Sequence, residues 1–159
     1  MTKFLLLAVA LLTAASAVYG ETVPTKDGEL LAVSSGRIKV EMRVRADLMG
    51  KNCVAAQSWR WGVENGCPDT YIGSMAVSLN GSRLFIPYSA FADLGNPRTM
   101  EVSPGKSVGA FQLEIHGGDA GTSYNVILKF DKGHLSEKIV RHGEFPDEAW
   151  ELTKYGFNF

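Results

Sequence analysis

Residues 37–48 read RIKVEMRVRADL, and the first nine alternate without a break. Ile38, Val40, Met42 and Val44 fall on one side; Arg37, Lys39, Glu41, Arg43 and Arg45 fall on the other. Successive side chains of an extended backbone point in opposite directions, so this period of two predicts a strand with one buried and one wet face.

The pattern recurs along the chain. Residues 29–34 predict a shorter strand before it. In 71–88 two strands flank Asn80-Gly81, a pair suited to the positive φ values of a type I′ turn. Met75, Val77 and Leu79 share one face, and Leu84, Ile86 and Tyr88 form the apolar set of the return strand. Pro87 cannot donate to a ladder, so that strand ends there or lies at an edge. Ser89 to Leu94 predict one helical turn, stopped by Gly95 and Pro97, and Arg98 to Val102 a short strand. Alternation returns in 111–116 and 123–130, then a turn at Asp131-Lys132-Gly133 leads to a strand over 134–141. Pro146 opens a predicted short helix, with Asp147 and Glu148 suited to its positive end. About eight short strands with at most one or two helical turns predict an all-β fold, an antiparallel sandwich or a closed barrel.

Residues 1–20 have the layout of a secretory signal peptide: Lys3, an apolar run from Phe4 to Leu12, then Ala15-Ser16-Ala17. Cleavage is expected after Ala17 or Gly20. No cysteine adjoins that point, so a bacterial lipid anchor has no acceptor there. Residues 21–159, about 139 in number, are expected to form a single β domain, long enough to bury a core. The expected location is periplasmic or extracellular. No later stretch approaches the roughly 18 apolar residues of a membrane helix, and membrane association is not expected. The formal net charge of −1 and the lack of any basic run give nucleic acid nothing to bind.

The two cysteines, Cys53 and Cys67, are expected to pair in an exported protein. The disulfide would close a loop of about 15 residues, worth on the order of 3 kcal/mol in the chain-entropy picture. That loop holds Trp59, Arg60 and Trp61. Two indoles beside a guanidinium suit a protein-binding hot spot or a sugar-stacking platform; the plainer role is to cover the end of the core.

The segment EIHGGDAGTSYN, residues 114–125, offers His116, Asp119, Ser123 and Tyr124. Strand parity makes His116 and Ser123 outward neighbours, on the face opposite Phe111, Leu113 and Ile115. A Ser-His-Asp arrangement fits that parity, but the second glycine of a nucleophile elbow is missing. The favoured role is a hairpin connection, with Gly117, Gly118 and Gly121 supplying turn conformations and Asp119 capping through its side chain. An exposed loop on a rigid scaffold also serves recognition.

Other motifs carry less. His116, His134 and His142 are spaced 18 and 8 apart, and no H-x-x-x-H occurs, so no metal or cofactor is expected. Ser103-Pro104-Gly105-Lys106-Ser107 lacks the first glycine of a phosphate-binding loop. Asn80-Gly81-Ser82 matches a glycosylation acceptor that the turn already explains. Glu144, Asp147, Glu148 and Glu151 around Trp150 read as a solvated charged surface rather than a glycosidase pair. The C-terminal Tyr155-Gly156-Phe157-Asn158-Phe159 resembles, over five residues, the closing strand of bacterial outer-membrane barrels.

The expectation is a small exported binding protein without catalytic activity. Its partner is a protein or glycan of the cell envelope, and inhibition of an envelope or extracellular enzyme is one form of this. Binding is assigned to Trp59, Arg60, Trp61, His116, Asp119, Ser123 and Tyr124. The alternatives are a small outer-membrane β-barrel, a glycan-binding module and a hydrolase using His116 and Ser123.

Overall fold

A computed structural model describes residues 20–21, 30–46, 61–64 and 67–156. Ten strands occur among the described residues: β1 (Gly20–Glu21), β2 (Leu30–Ser35), β3 (Ile38–Ala46), β4 (Thr70–Leu79), β5 (Ser82–Leu84), β6 (Pro97–Pro104), β7 (Phe111–Gly117), β8 (Tyr124–Asp131), β9 (His134–His142) and β10 (Ala149–Lys154). One sheet runs β1-β6-β7-β8-β9-β10 and the other β2-β3-β4-β5, with every pair antiparallel. The chain is therefore an antiparallel β-sandwich. The closed-barrel expectation is not met, because among the described residues β1, β10, β2 and β5 each have one ladder neighbour and no sheet closes on itself. A membrane-spanning barrel, by contrast, has no open edges.

Period-two patterning builds the core. Val40, Met42 and Val44 of β3 are completely buried against Phe111, Leu113, Ile115, Val126, Leu128 and Phe130 of the larger sheet. The Phe111 and Phe130 rings, directly opposite in the ladder, stack with centroids 4.4 Å apart. Asn80 and Gly81 take φ values of 54° and 80°, which gives the type I′ hairpin its twist. A register shift beside Arg43 and Val44 lets Ile72 and Met75, three residues apart, both face the core.

One local expectation is met in part and one fails. The return strand β5 lies at the edge of its sheet, as Pro87 suggests, but stops at Leu84, and Pro87 precedes a 3-10 turn over Tyr88–Ala90. Leu84 and Ile86 still pack on the core, so the face is right although the ladder is short. Pro146 and Asp147 form a turn and not a helix, because the chain resumes almost at once as β10 along β9. The single-domain expectation extends over residues outside the described ones, and residues 1–19 of the expected leader, Phe157 and Phe159 lie outside them.

Gly117 marks the tightest approach in the larger sheet. A Cβ there would run into the Tyr124 hydroxyl and lie 2.8 Å from the Asn96 carbonyl, whereas one on Gly121 would meet nothing within 4 Å. Gly117→Ala is expected to lose about 1–3 kcal/mol, and Gly121→Ala to stay within about 0.5 kcal/mol. Urea unfolding of the two variants checks the contrast.

Candidate functional site

The described segments 61–64 and 67–69, with the connections 94–96, 118–123 and 143–148, gather at one end of the sandwich. Asn96 ties three of these segments together. Its backbone N–H donates to the Thr70 carbonyl at 2.7 Å, and its carbonyl accepts from the Gly118 N–H at 3.0 Å. Its side-chain oxygen accepts from the Thr70 N–H at 3.1 Å, and its side-chain amide donates to the Gly62 carbonyl at 2.9 Å. Its φ of 50° falls in the left-handed region that asparagine tolerates better than most residues. The fourth segment joins through the Gly143 N–H, which donates to the Ser123 carbonyl at 2.8 Å.

A buried charge cluster lies beneath this end. Lys138 of β9 stands opposite Leu128, whose side chain faces the core, and is only 1% exposed. Its ammonium donates to both Asp93 carboxylate oxygens, at 2.7 and 2.8 Å, and lies 3.6 Å from Glu151 Oε1. An ammonium out of water requires such partners. Glu151 also accepts from Trp61 Nε1 at 3.3 Å and from the Thr153 hydroxyl at 2.7 Å. The Trp61 N–H donates to the Asp93 carbonyl at 3.2 Å, so backbone and side chain of Trp61 meet the same cluster.

Over it sits an aromatic group. Trp61 and Trp150 stack with centroids 5.1 Å apart and planes 12° from parallel. His142 meets Trp150 edge-on at 4.7 Å and Phe145 at 4.9 Å. His142 Nδ1 accepts from the N–H groups of Glu144 and Phe145, which fixes the turn carrying Phe145. Phe145 is 59% exposed and Trp150 37%. Beside Trp61 opens a cleft of about 620 Å³, lined by Gly62, Val63, Glu64 and Cys67 on one wall and by Asn96 and Asp119 to Thr122 on the other.

The two loops singled out in the sequence thus share one cleft. Trp61 is half-buried next to the cleft-lining Gly62 in sequence, while Trp59, Arg60 and Cys53 lie outside the described residues. No cysteine among the described residues is free. Asp119 is exposed and pairs with Arg98 at 3.2 Å, and the Thr122 hydroxyl closes the turn onto the Asp119 carbonyl at 2.8 Å. His116 and Ser123 are not brought together. His116 stands opposite Asn125 and lies 3.5 Å from Glu114, whereas Ser123 Oγ packs towards Gly143 and makes no hydrogen bond. Tyr124 belongs to the core: it is 1% exposed. Glu151 departs from the charged-surface expectation, since it serves the buried cluster; Glu144, Asp147 and Glu148 are exposed as expected.

Sequence reasoning missed Lys138, Asp93 and the partnership of Trp61 with Trp150. No protein-family model, curated protein or solved structure matches this chain.

Two outcomes follow from the buried cluster. Lys138→Met strands the Asp93 carboxylate and is expected to cost about 3–5 kcal/mol in chemical unfolding. The Tyr124 hydroxyl is buried without a partner, and burial first, then the Asp93 charge, pushes its pKa well above the usual phenol range. The unfolded phenol ionises near pH 10 while the folded one keeps its proton. Stability is therefore intact below about pH 10 and falls above it. Tyr124→Phe is expected to be neutral or stabilising at pH 7, because it removes an unsatisfied buried group, and to flatten the alkaline fall. Denaturation midpoints across that pH range measure both effects.

Proposed function

We propose that this chain is an exported binding protein that uses its loop end to grip a protein partner of the cell envelope or extracellular space. The observation that carries this reading is the convergence of two separate loops on one cleft beside an exposed aromatic group. Exposed aromatic anchors surrounded by polar groups are the anatomy of a protein-binding hot spot. Charge supports a protein with a basic surface. Among the described residues these loops carry Glu64, Asp69, Asp119, Glu144, Asp147 and Glu148 and no lysine or arginine, with Arg98 and Arg141 each two residues outside them. Such a field steers a basic partner and discourages acidic ones. The leader-like N-terminus supports export, and a Cys53–Cys67 disulfide would brace the Trp61 loop and lower its ordering cost on binding. Inhibition of an envelope or extracellular enzyme fits a rigid scaffold that presents preformed loops. Glycan binding is the second reading, since Trp150 keeps part of its ring exposed.

Immobilised protein is expected to retain a partner from envelope extracts, less of it as salt rises. Trp150→Ala is expected to weaken that binding roughly 30-fold or more, the scale of a hot-spot loss of about 2 kcal/mol. Unchanged recovery with Trp150→Ala would exclude the aromatic group as the site. Retention on a glycan array in place of a protein would favour the second reading. Intact mass of the exported chain, before and after reduction, tests the leader and the disulfide together.

A further inference from the structure

The outer face of the larger sheet carries a second arrangement, separate from the loop-end cleft. Glu101 of β6 stands directly opposite Glu114 of β7, and Thr99 opposite His116. Glu114 and His116 alternate with the buried Leu113 and Ile115, so they project together from the far side of β7. One carboxylate oxygen of Glu101, one of Glu114 and an imidazole nitrogen of His116 all lie within 4.8 Å of one another, and the three residues are half-buried.

Two facts make this unlike an ordinary acidic surface. Like charges directly opposite in an antiparallel pair repel, yet no lysine or arginine forms an ion pair with Glu101 or Glu114 among the described residues. The neighbouring strand also supplies an orienting group. Asn125, opposite His116, donates its side-chain amide to Glu114 Oε1, and its side-chain oxygen is shielded from water without a hydrogen-bond partner.

We propose that Glu101, Glu114 and His116 bind a divalent transition-metal ion, zinc being the best match. Two carboxylates and one imidazole are a mixed oxygen and nitrogen set. Three such ligands on two rigid strands leave a tetrahedral ion one position for water or a fourth ligand. The imidazole disfavours calcium and magnesium, which take oxygen ligands. The ion neutralises the facing carboxylates, and Asn125 holds Glu114 from the second layer, as groups behind metal ligands commonly do.

Titration of metal-stripped full-length protein with zinc chloride under non-reducing conditions tests this. One ion per chain is expected, with a rise in Tm on binding. His116→Ala and Glu101→Gln are each expected to weaken binding at least tenfold, and His134→Ala to leave it unchanged. Glu101→Gln carries a second readout: without metal its Tm rises, because the repulsion is gone, while the zinc-dependent rise disappears. Calcium chloride at the same concentration should bind more weakly. No binding by the wild-type protein, equal binding by His116→Ala, or equal loss in His134→Ala overturns the assignment. A lower metal-free Tm for Glu101→Gln also counts against it, since it would mean that Glu101 is already satisfied.

Discussion

The Lys138–Asp93 ion pair is the constraint on which the candidate site depends. An ammonium that is 1% exposed must be matched where it sits, and its closer match, Asp93, comes from outside its own sheet. Asp93 belongs to the segment that leads from the 3-10 turn into β6, and its carbonyl receives the Trp61 N–H. Glu151, the second carboxylate near the ammonium, receives the Trp61 indole N–H. One buried charge thus sets the position of three chain segments. A buried ion pair is weak evidence for stability, because apolar side chains of similar size often stabilise as well. Its consequence here is positional: an apolar residue at 138 would fill the volume without directing Asp93 or Glu151.

The two ends of the sandwich differ. At the far end β2–β3, β4–β5 and β8–β9 are joined by two-residue connections, including Asn80-Gly81 and Lys132-Gly133. Those three turns expose little that a partner could grip; the six-residue β6–β7 connection at the same end carries the fully exposed Val108. At the loop end the connections are longer and interlocked through Asn96, with the Tyr124 ring packed below Gly117. That end combines a cleft, aromatic surface and acidic charge. The cost of ordering it is met during folding, which is how a preformed surface gains affinity.

Much of the fold was legible in the sequence because it rests on local rules. Alternation in β3, β7 and β8 identifies the buried faces, and Asn80-Gly81 identifies its hairpin. The failures share a cause: side-chain parity cannot be counted across a bulge, and pairing between distant strands is not local. Lys138 shows this. A register shift beside Lys129 and Phe130 moves β9 relative to β8, so that both Leu135 and Lys138 are buried. Pro146 gives a sound helix-start signal, but the ladder with β9 overrides it. Strand parity in the sequence offers His116 only Ser123 as a neighbour. Its actual neighbours, Glu114 and Glu101, become visible only once β6 and β7 are placed in register. Trp150 is flanked in sequence by carboxylates, and nothing local links it to Trp61.

Amide hydrogen exchange in Lys138→Met, under conditions where the sandwich stays folded, tests most directly whether the buried charge builds the loop end. The Trp61, Gly95 and Gly118 amides donate to Asp93, Trp61 and Asn96 respectively, whereas at the far end the Asn80 amide donates to the Arg37 carbonyl of the neighbouring turn and the Gly105 amide closes the β6–β7 connection onto Ala110. Faster exchange is expected at Trp61, Gly95 and Gly118, with Asn80 and Gly105 unchanged. Equal acceleration at both ends, or no change at Trp61 and Gly95, would contradict it.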